Sequence, residues 1–232
     1  MLLKKILLLG VAGLCAAANG QSRNELPDRP YLSLHEQSAW LLNYRSVQNG
    51  LGLSADEKSG LAKALQDYSV EEARVLSPSR TASDQDFEQL DHFFAKTALA
   101  PISAPHRHRL MEILLQVKGV EAMEDPEVAK EVGLTSSQVE RLHSMVDAAN
   151  QREEDFDADL AQRIIKLPRI APSSLYEKKK QDVIDAAAPE RTALEQQRER
   201  DERKALSGLS PAQKKRWESL QGAPFLMTRF QK

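Results

Sequence analysis

The chain reads as an all-α protein: an elongated helical bundle carrying a long antiparallel helical hairpin. Apolar residues recur at three- and four-residue spacings along most of its length, the mark of helices with one buried face. A helix-starting phrase, Gly-Leu-(Ser/Thr)-x-x-(Glu/Gln), occurs three times: at Gly52–Glu57, Gly133–Gln138 and Gly208–Gln213. Nothing resembles two alternating strands joined by hairpin turn chemistry.

Residues 1–20 have the layout of a secretory signal peptide: Lys4 and Lys5, then the uncharged apolar run Ile6 to Ala18, then small residues at Ala16-Ala17-Ala18 or Ala18-Asn19-Gly20. The run is too short to span a membrane, and no later segment is apolar enough to do so. A lipoprotein signal at Cys15 is disfavoured because Leu14 precedes it, where that processing wants a small residue. Cleavage past Cys15 leaves no cysteine, which removes disulfides and thiolate chemistry together.

Residues 21–32, with Pro27 and Pro30, read as a loose arm. Ser33 then caps a first helix carrying Leu34, Trp40, Leu41, Tyr44 and Val47, ending at Asn49-Gly50. Ser54 opens a second, with Leu61, Leu65, Tyr68 and Val75 in one stripe, stopped by Ser77-Pro78-Ser79. A third runs from Asp84 to Leu99, with Phe87, Leu90 and Phe94 on one face. A fourth starts near Ser103, buries Leu110, Ile113, Leu114 and Val117, and closes at Gly119. Asp125-Pro126 begins a short helix, with a capping Asp and a proline where its missing N–H costs nothing.

Thr135 opens the fifth long helix, whose seam of Val139, Leu142, Val146, Ala149, Phe156, Leu160, Ile164 and Leu167 is heptad-like and interrupted by Glu153. Pro168 to Pro172 turns the chain into a charged segment, Ser174 to Leu206, which Pro189 is expected to kink or restart. A short turn between two long helices makes them antiparallel neighbours. A last helix starts at Ser210-Pro211, carries Trp217 and Leu220, and ends at Gly222 before a tail with Pro224 and Phe225. The expected organisation is therefore a helical region over 33–132 and the hairpin with its capping helix over 133–232.

Composition narrows the function. Charged residues make up 28% of the chain, aromatics 5%, and mean hydropathy is -0.50, so the core is lean. Net charge is -2, or -4 without the leader, too balanced for a nucleic-acid surface.

The repeated phrase is a capping box. The Ser or Thr hydroxyl accepts from the N–H three residues on, and the Glu or Gln there reaches back to the N–H of the cap. Each glycine can end the preceding element, and Leu134 can staple over Val139. The phrase resembles the LTxxQ motif of exported bacterial stress proteins, the Spy-like chaperone family. Leu134, Thr135 and Gln138 match it fully; Leu209, Ser210 and Gln213 match with Ser for Thr; Leu53, Ser54 and Glu57 are a looser copy. The ending Trp217-x-x-Leu220-x-Gly222-x-Pro224-Phe225 is similar to the C-termini of many exported bacterial proteins. The resemblance implies a small all-helical protein, often dimeric and cradle-shaped, without active site or cofactor, binding unfolded clients or a signalling partner. The partner face would be Val139, Leu142, Val146, Phe156, Leu160 and Ile164. The same seam reads equally as a buried self-association interface of a homodimer.

Catalytic patterns are missing: no HExxH, no Gly-x-Ser-x-Gly elbow and no Gly-rich phosphate loop. The acidic cluster around Glu153-Glu154-Asp155 lacks the spacing of a calcium loop and reads as a solvated face. A second reading is metal binding or sensing through His106, His108, Glu140 and His143. Against it, His106 and His108 are two apart and share no helical face, and Glu140-x-x-His143 has no second copy of the kind a di-iron bundle needs.

Overall fold

The structure, a computed structural model, describes residues 29, 31–77, 81–168 and 173–225. The leader at 1–20, most of the expected arm and the turn residues Arg169 to Pro172 lie outside the described residues. Those described form α-helices and two short 3-10 helices, with no strand among them. In order they are α1 Leu34–Ser38, a 3-10 turn Ala39–Asn43, α2 Arg45–Leu51, α3 Ala55–Val75, α4 Asp84–Leu99 and α5 Ala104–Lys118. A second 3-10 turn Gly119–Glu124, α6 Pro126–Val132, α7 Ser136–Ile165, α8 Ser173–Ser207 and α9 Pro211–Gln221 complete them. No helix among the described residues is long and apolar enough to cross a membrane.

The chain divides into two compact units. One comprises the described residues of Asn24–Val132 and Pro211–Lys232, the other Gly133–Ser210. The second unit begins at Gly133. The last helix, expected with the hairpin, instead belongs with the first region. Trp217 of α9 is only 4% exposed, Arg216 donates to the Val132 carbonyl, and Gln116 of α5 donates to the Gln221 carbonyl. An amphipathic segment this short gains its stability from tertiary burial, so it goes where Trp217 finds cover.

In the first unit, Leu41, Val47, Phe94, Leu110, Leu114 and Met123 have no exposed surface. The expected first helix is broken into α1, a 3-10 turn and α2, with Tyr44 extended between them. Leu41 and Leu42 are adjacent and both fully buried. One α-helical face cannot bury two consecutive side chains and Val47 as well, so the backbone changes direction. Asn43 and Gln48 side chains take up the Trp40 and Leu42 carbonyls that the break releases. The stripes of α3, α4 and α5 are as expected at Leu61, Val75, Leu90, Leu110 and Ile113, whereas Phe87 at the start of α4 is exposed and Val117 half-buried. Two capping boxes beyond the repeated phrase start helices here: Ser33 with Glu36, and Ser83 with Asp86.

In the second unit α7 and α8 lie antiparallel. Arg163 binds Glu190, Arg191 binds Asp157, Arg198 binds Glu153 and Arg152 binds Asp201, the numbers rising on one helix as they fall on the other. Leu160 and Ile164 of α7 close on Ile184 and Ala187 of α8, with Phe156 and Val183 packed against them. The helix α8 is continuous from Ser173 to Ser207, so it does not restart at Pro189. Pro189 is exposed, so its ring costs hydrogen bonding on the solvent side, while Ala187 and Arg191 on either side of it hold α8 to α7.

Candidate functional site

The first copy of the phrase is a junction between two helices. Ser54 caps α3 with a complete capping box. Glu57, 7% exposed, accepts from the Ser54 N–H at 2.8 Å with one carboxylate oxygen. The other oxygen accepts from the Ser103 N–H at 2.9 Å and from His106 Nδ1 at 2.8 Å. Ser103 is the N-cap of α5, whose own third helical position, His106, bonds to Glu57 instead of capping. Glu57 thus supplies from α3 the acceptor that a Glu in α5 would have supplied. Desolvation pushes its carboxyl up, but the Ser103 and Ser54 N–H groups and His106 outweigh that and hold it well below the usual carboxylate range.

The second copy is a complete box as well. Thr135 and Gln138 exchange hydrogen bonds at the start of α7, and Gln138 Nε2 donates to the Gly208 carbonyl at 3.3 Å. That carbonyl belongs to the first residue of the third copy, and α9 begins at Pro211 directly after Ser210. Leu53 and Leu209 are buried, at 3% and 6% exposure, while Leu134 and Val139 are half-buried. Gly52 and Gly133 adopt the left-handed conformation that ends the preceding helix without a Cβ penalty; Gly208 does not.

The face predicted for partners is largely inside the chain. Leu142, Val146, Leu160 and Ile164 are each at most 8% exposed, and Phe156 and Val139 are half-buried. Phe156, Leu160 and Ile164 are covered by α8, because an apolar stripe beside an antiparallel neighbour is satisfied intramolecularly. Glu153, the interruption in the seam, binds Arg198 through both carboxylate oxygens, at 2.8 and 3.0 Å. Arg191 bridges Asp157 at 3.1 Å and the face of Phe156, 4.9 Å from its ring centre. Burial raises the Asp157 carboxyl by more than Arg191 lowers it.

The three histidines of the metal reading each pair with a carboxylate of their own unit. His106 is taken up by Glu57, His108 is exposed and pairs with Glu112, and His143 pairs with Asp147 at 3.3 Å on the surface of α7. Among the described residues no three His, Cys, Asp or Glu are placed to hold a metal ion.

Two clusters were not foreseen. Asp91, 7% exposed on α4, accepts from Arg29 Nε at 2.6 Å and from the Tyr31 hydroxyl. Arg29 stacks 3.6 Å from the centre of the Trp40 ring, which meets Tyr68 and Phe94. Burial, with nearby Glu72 and Asp91, pushes the Tyr68 hydroxyl up to about 12. The Trp40 indole N–H is buried without a hydrogen-bond partner among the described residues. The available signal was a carboxylate at position 91 inside the apolar stripe of Leu90 and Phe94.

The other cluster holds the segment after α9. Gln116 donates to the Ala223 carbonyl at 3.0 Å and accepts the Phe225 N–H at 2.8 Å. Arg109 donates to the Ala223 carbonyl at 2.7 Å and also binds Glu112. Gly222 is left-handed, and a Cβ there would stand 2.2 Å from the Glu112 carboxyl carbon. The C-terminal pattern of Gly222, Pro224 and Phe225 is legible in the sequence; its receptor on α5 is not.

No protein-family model, curated protein or solved structure matches this chain.

Proposed function

We propose that this is an exported, non-enzymatic helical protein that binds other polypeptides, in a chaperone-like role in the periplasm or cell envelope. The observation that carries the reading is the run Leu134-Thr135-Ser136-Ser137-Gln138, which matches the LTxxQ motif in sequence and starts α7 as a capping box. The leader-like N-terminus supports export. Exposed apolar side chains support contact with unfolded chains: Ile165 and Leu175 at the paired ends of α7 and α8, and Val70, Leu76 and Phe87 in the other unit. Adaptable, loosely complementary surfaces of this kind tolerate many partners. The Phe156, Leu160 and Ile164 end of the α7 seam packs against α8, which favours the exposed residues over it as the binding surface.

The test is suppression of aggregation of a thermally unfolding client by residues 21–232, without ATP. Suppression near stoichiometric amounts is expected. A client that aggregates at its unassisted rate at several-fold excess of the protein would overturn the holdase reading.

A further inference from the structure

The segment after α9 is held as a bound peptide is held. Arg109, Glu112 and Gln116 are spaced three and four apart on α5 and form one stripe. Gln116 uses both ends of its amide on the main chain, taking the Ala223 carbonyl and the Phe225 N–H. Arg109 doubles the bond to Ala223 and lies 5.9 Å from the centre of the Phe225 ring. That ring rests on Gly50 of α2, where a Cβ would stand 2.4 Å from a ring carbon. The hydrogen bonds therefore read only backbone, and the notch over Gly50 reads one flat ring. Main-chain bonding of this kind supplies affinity without sequence, and a single pocket supplies the selectivity.

We propose that this stripe and notch form a docking groove for an extended segment of another polypeptide carrying an aromatic residue, with the chain's own Ala223–Phe225 as its tethered occupant. A short tether gives the occupant an effective concentration on the order of millimolar, so the tail competes with segments arriving from outside and only well-matched or abundant ones displace it. The inference deepens the protein-binding reading and rests on it for the class of partner. The peptide measurement below needs no unfolding client, so its failure and the failure of the holdase reading are separately visible.

The experiment is fluorescence anisotropy of a labelled synthetic peptide with the sequence of residues 219–226, titrated with the full chain. Phe225→Ala vacates the notch and is expected to bind the peptide at least ~10-fold more tightly than the unaltered chain, by relief of that competition. Adding Gly50→Ala is expected to abolish binding. Gly50 lies in α2 and alanine favours helix, so the fold, checked by circular dichroism, is retained. A peptide with alanine for its phenylalanine is expected not to bind. No binding by Phe225→Ala, or binding that Gly50→Ala leaves intact, overturns the proposal. So does a dimer of the unaltered chain that Phe225→Ala dissolves, since the groove would then serve exchange of tails between two copies.

Discussion

The side-chain amide of Gln138 donates to the Gly208 carbonyl at 3.3 Å while its oxygen accepts the Thr135 N–H at 2.9 Å. The second copy of the repeated phrase thereby holds the first residue of the third. Glu57 occupies the same position in the first copy and meets only donors: Ser54, Ser103 and His106. The phrase tolerates Glu or Gln for capping, and the choice follows from what each side chain meets across the fold. A carbonyl calls for an amide, three donors for a carboxylate.

Gln138→Glu keeps the capping acceptor and loses the donor to Gly208. A loss of about 1 kcal/mol is expected, the net worth of one hydrogen bond plus repulsion between carboxylate and carbonyl. Urea denaturation of this variant and of Thr135→Ala checks it: both should be destabilised, but only Thr135→Ala through loss of the cap.

Glu57→Gln is expected to cost about 1.5–3 kcal/mol, because three hydrogen bonds lose their charge assistance in a buried setting. The pH dependence has a definite sign. A carboxyl held below its unfolded pKa of about 4.3 adds stability that is complete above that value and is lost as pH falls toward the folded pKa. Glu36 acts the same way: desolvation raises it, but His92 and Ser33 outweigh that and lower it. Stability of the unaltered chain should therefore fall with acid below about pH 5. Glu57→Gln should flatten that slope, and an unchanged slope would show that other carboxyls carry it.

Glu153→Ala removes both hydrogen bonds that tie the half-buried Arg198 to α7, with Glu202 of its own helix still 3.9 Å away, and should destabilise α7 against α8 by about 1–3 kcal/mol. Glu153→Leu with Arg198→Leu together should be neutral or stabilising, since an apolar pair fills the seam without desolvating charge. Thermal melts of Glu153→Leu, Arg198→Leu and the double variant give the coupling.

Pro189→Ala should stabilise the chain by about 1–3 kcal/mol, the interior-helix penalty of proline less any local relaxation. The helix is already continuous through this position and the side chain is exposed. A rise in melting temperature with unchanged helical circular dichroism is the expected result.

The helices and most of their ends were readable from local rules. Glycines at 52, 119 and 133 sit at helix ends, Ser33, Ser54, Ser103 and Thr135 stand at starts, and stripe residues such as Leu61, Leu110 and Leu160 are buried. Capping and periodicity act within one or two turns, so neighbouring residues carry the whole signal. What lay beyond the sequence depends on contacts far apart in it. The covering of Phe156, Leu160 and Ile164 on α7 depends on α8 returning beside them. Glu57 gains meaning from residues 46 and 49 positions away, Gln116 from Phe225, 109 positions away. The break after Asn43 and the absence of a restart at Pro189 both run against local expectation, because in each case tertiary burial outweighs the local preference for regular helix or against proline.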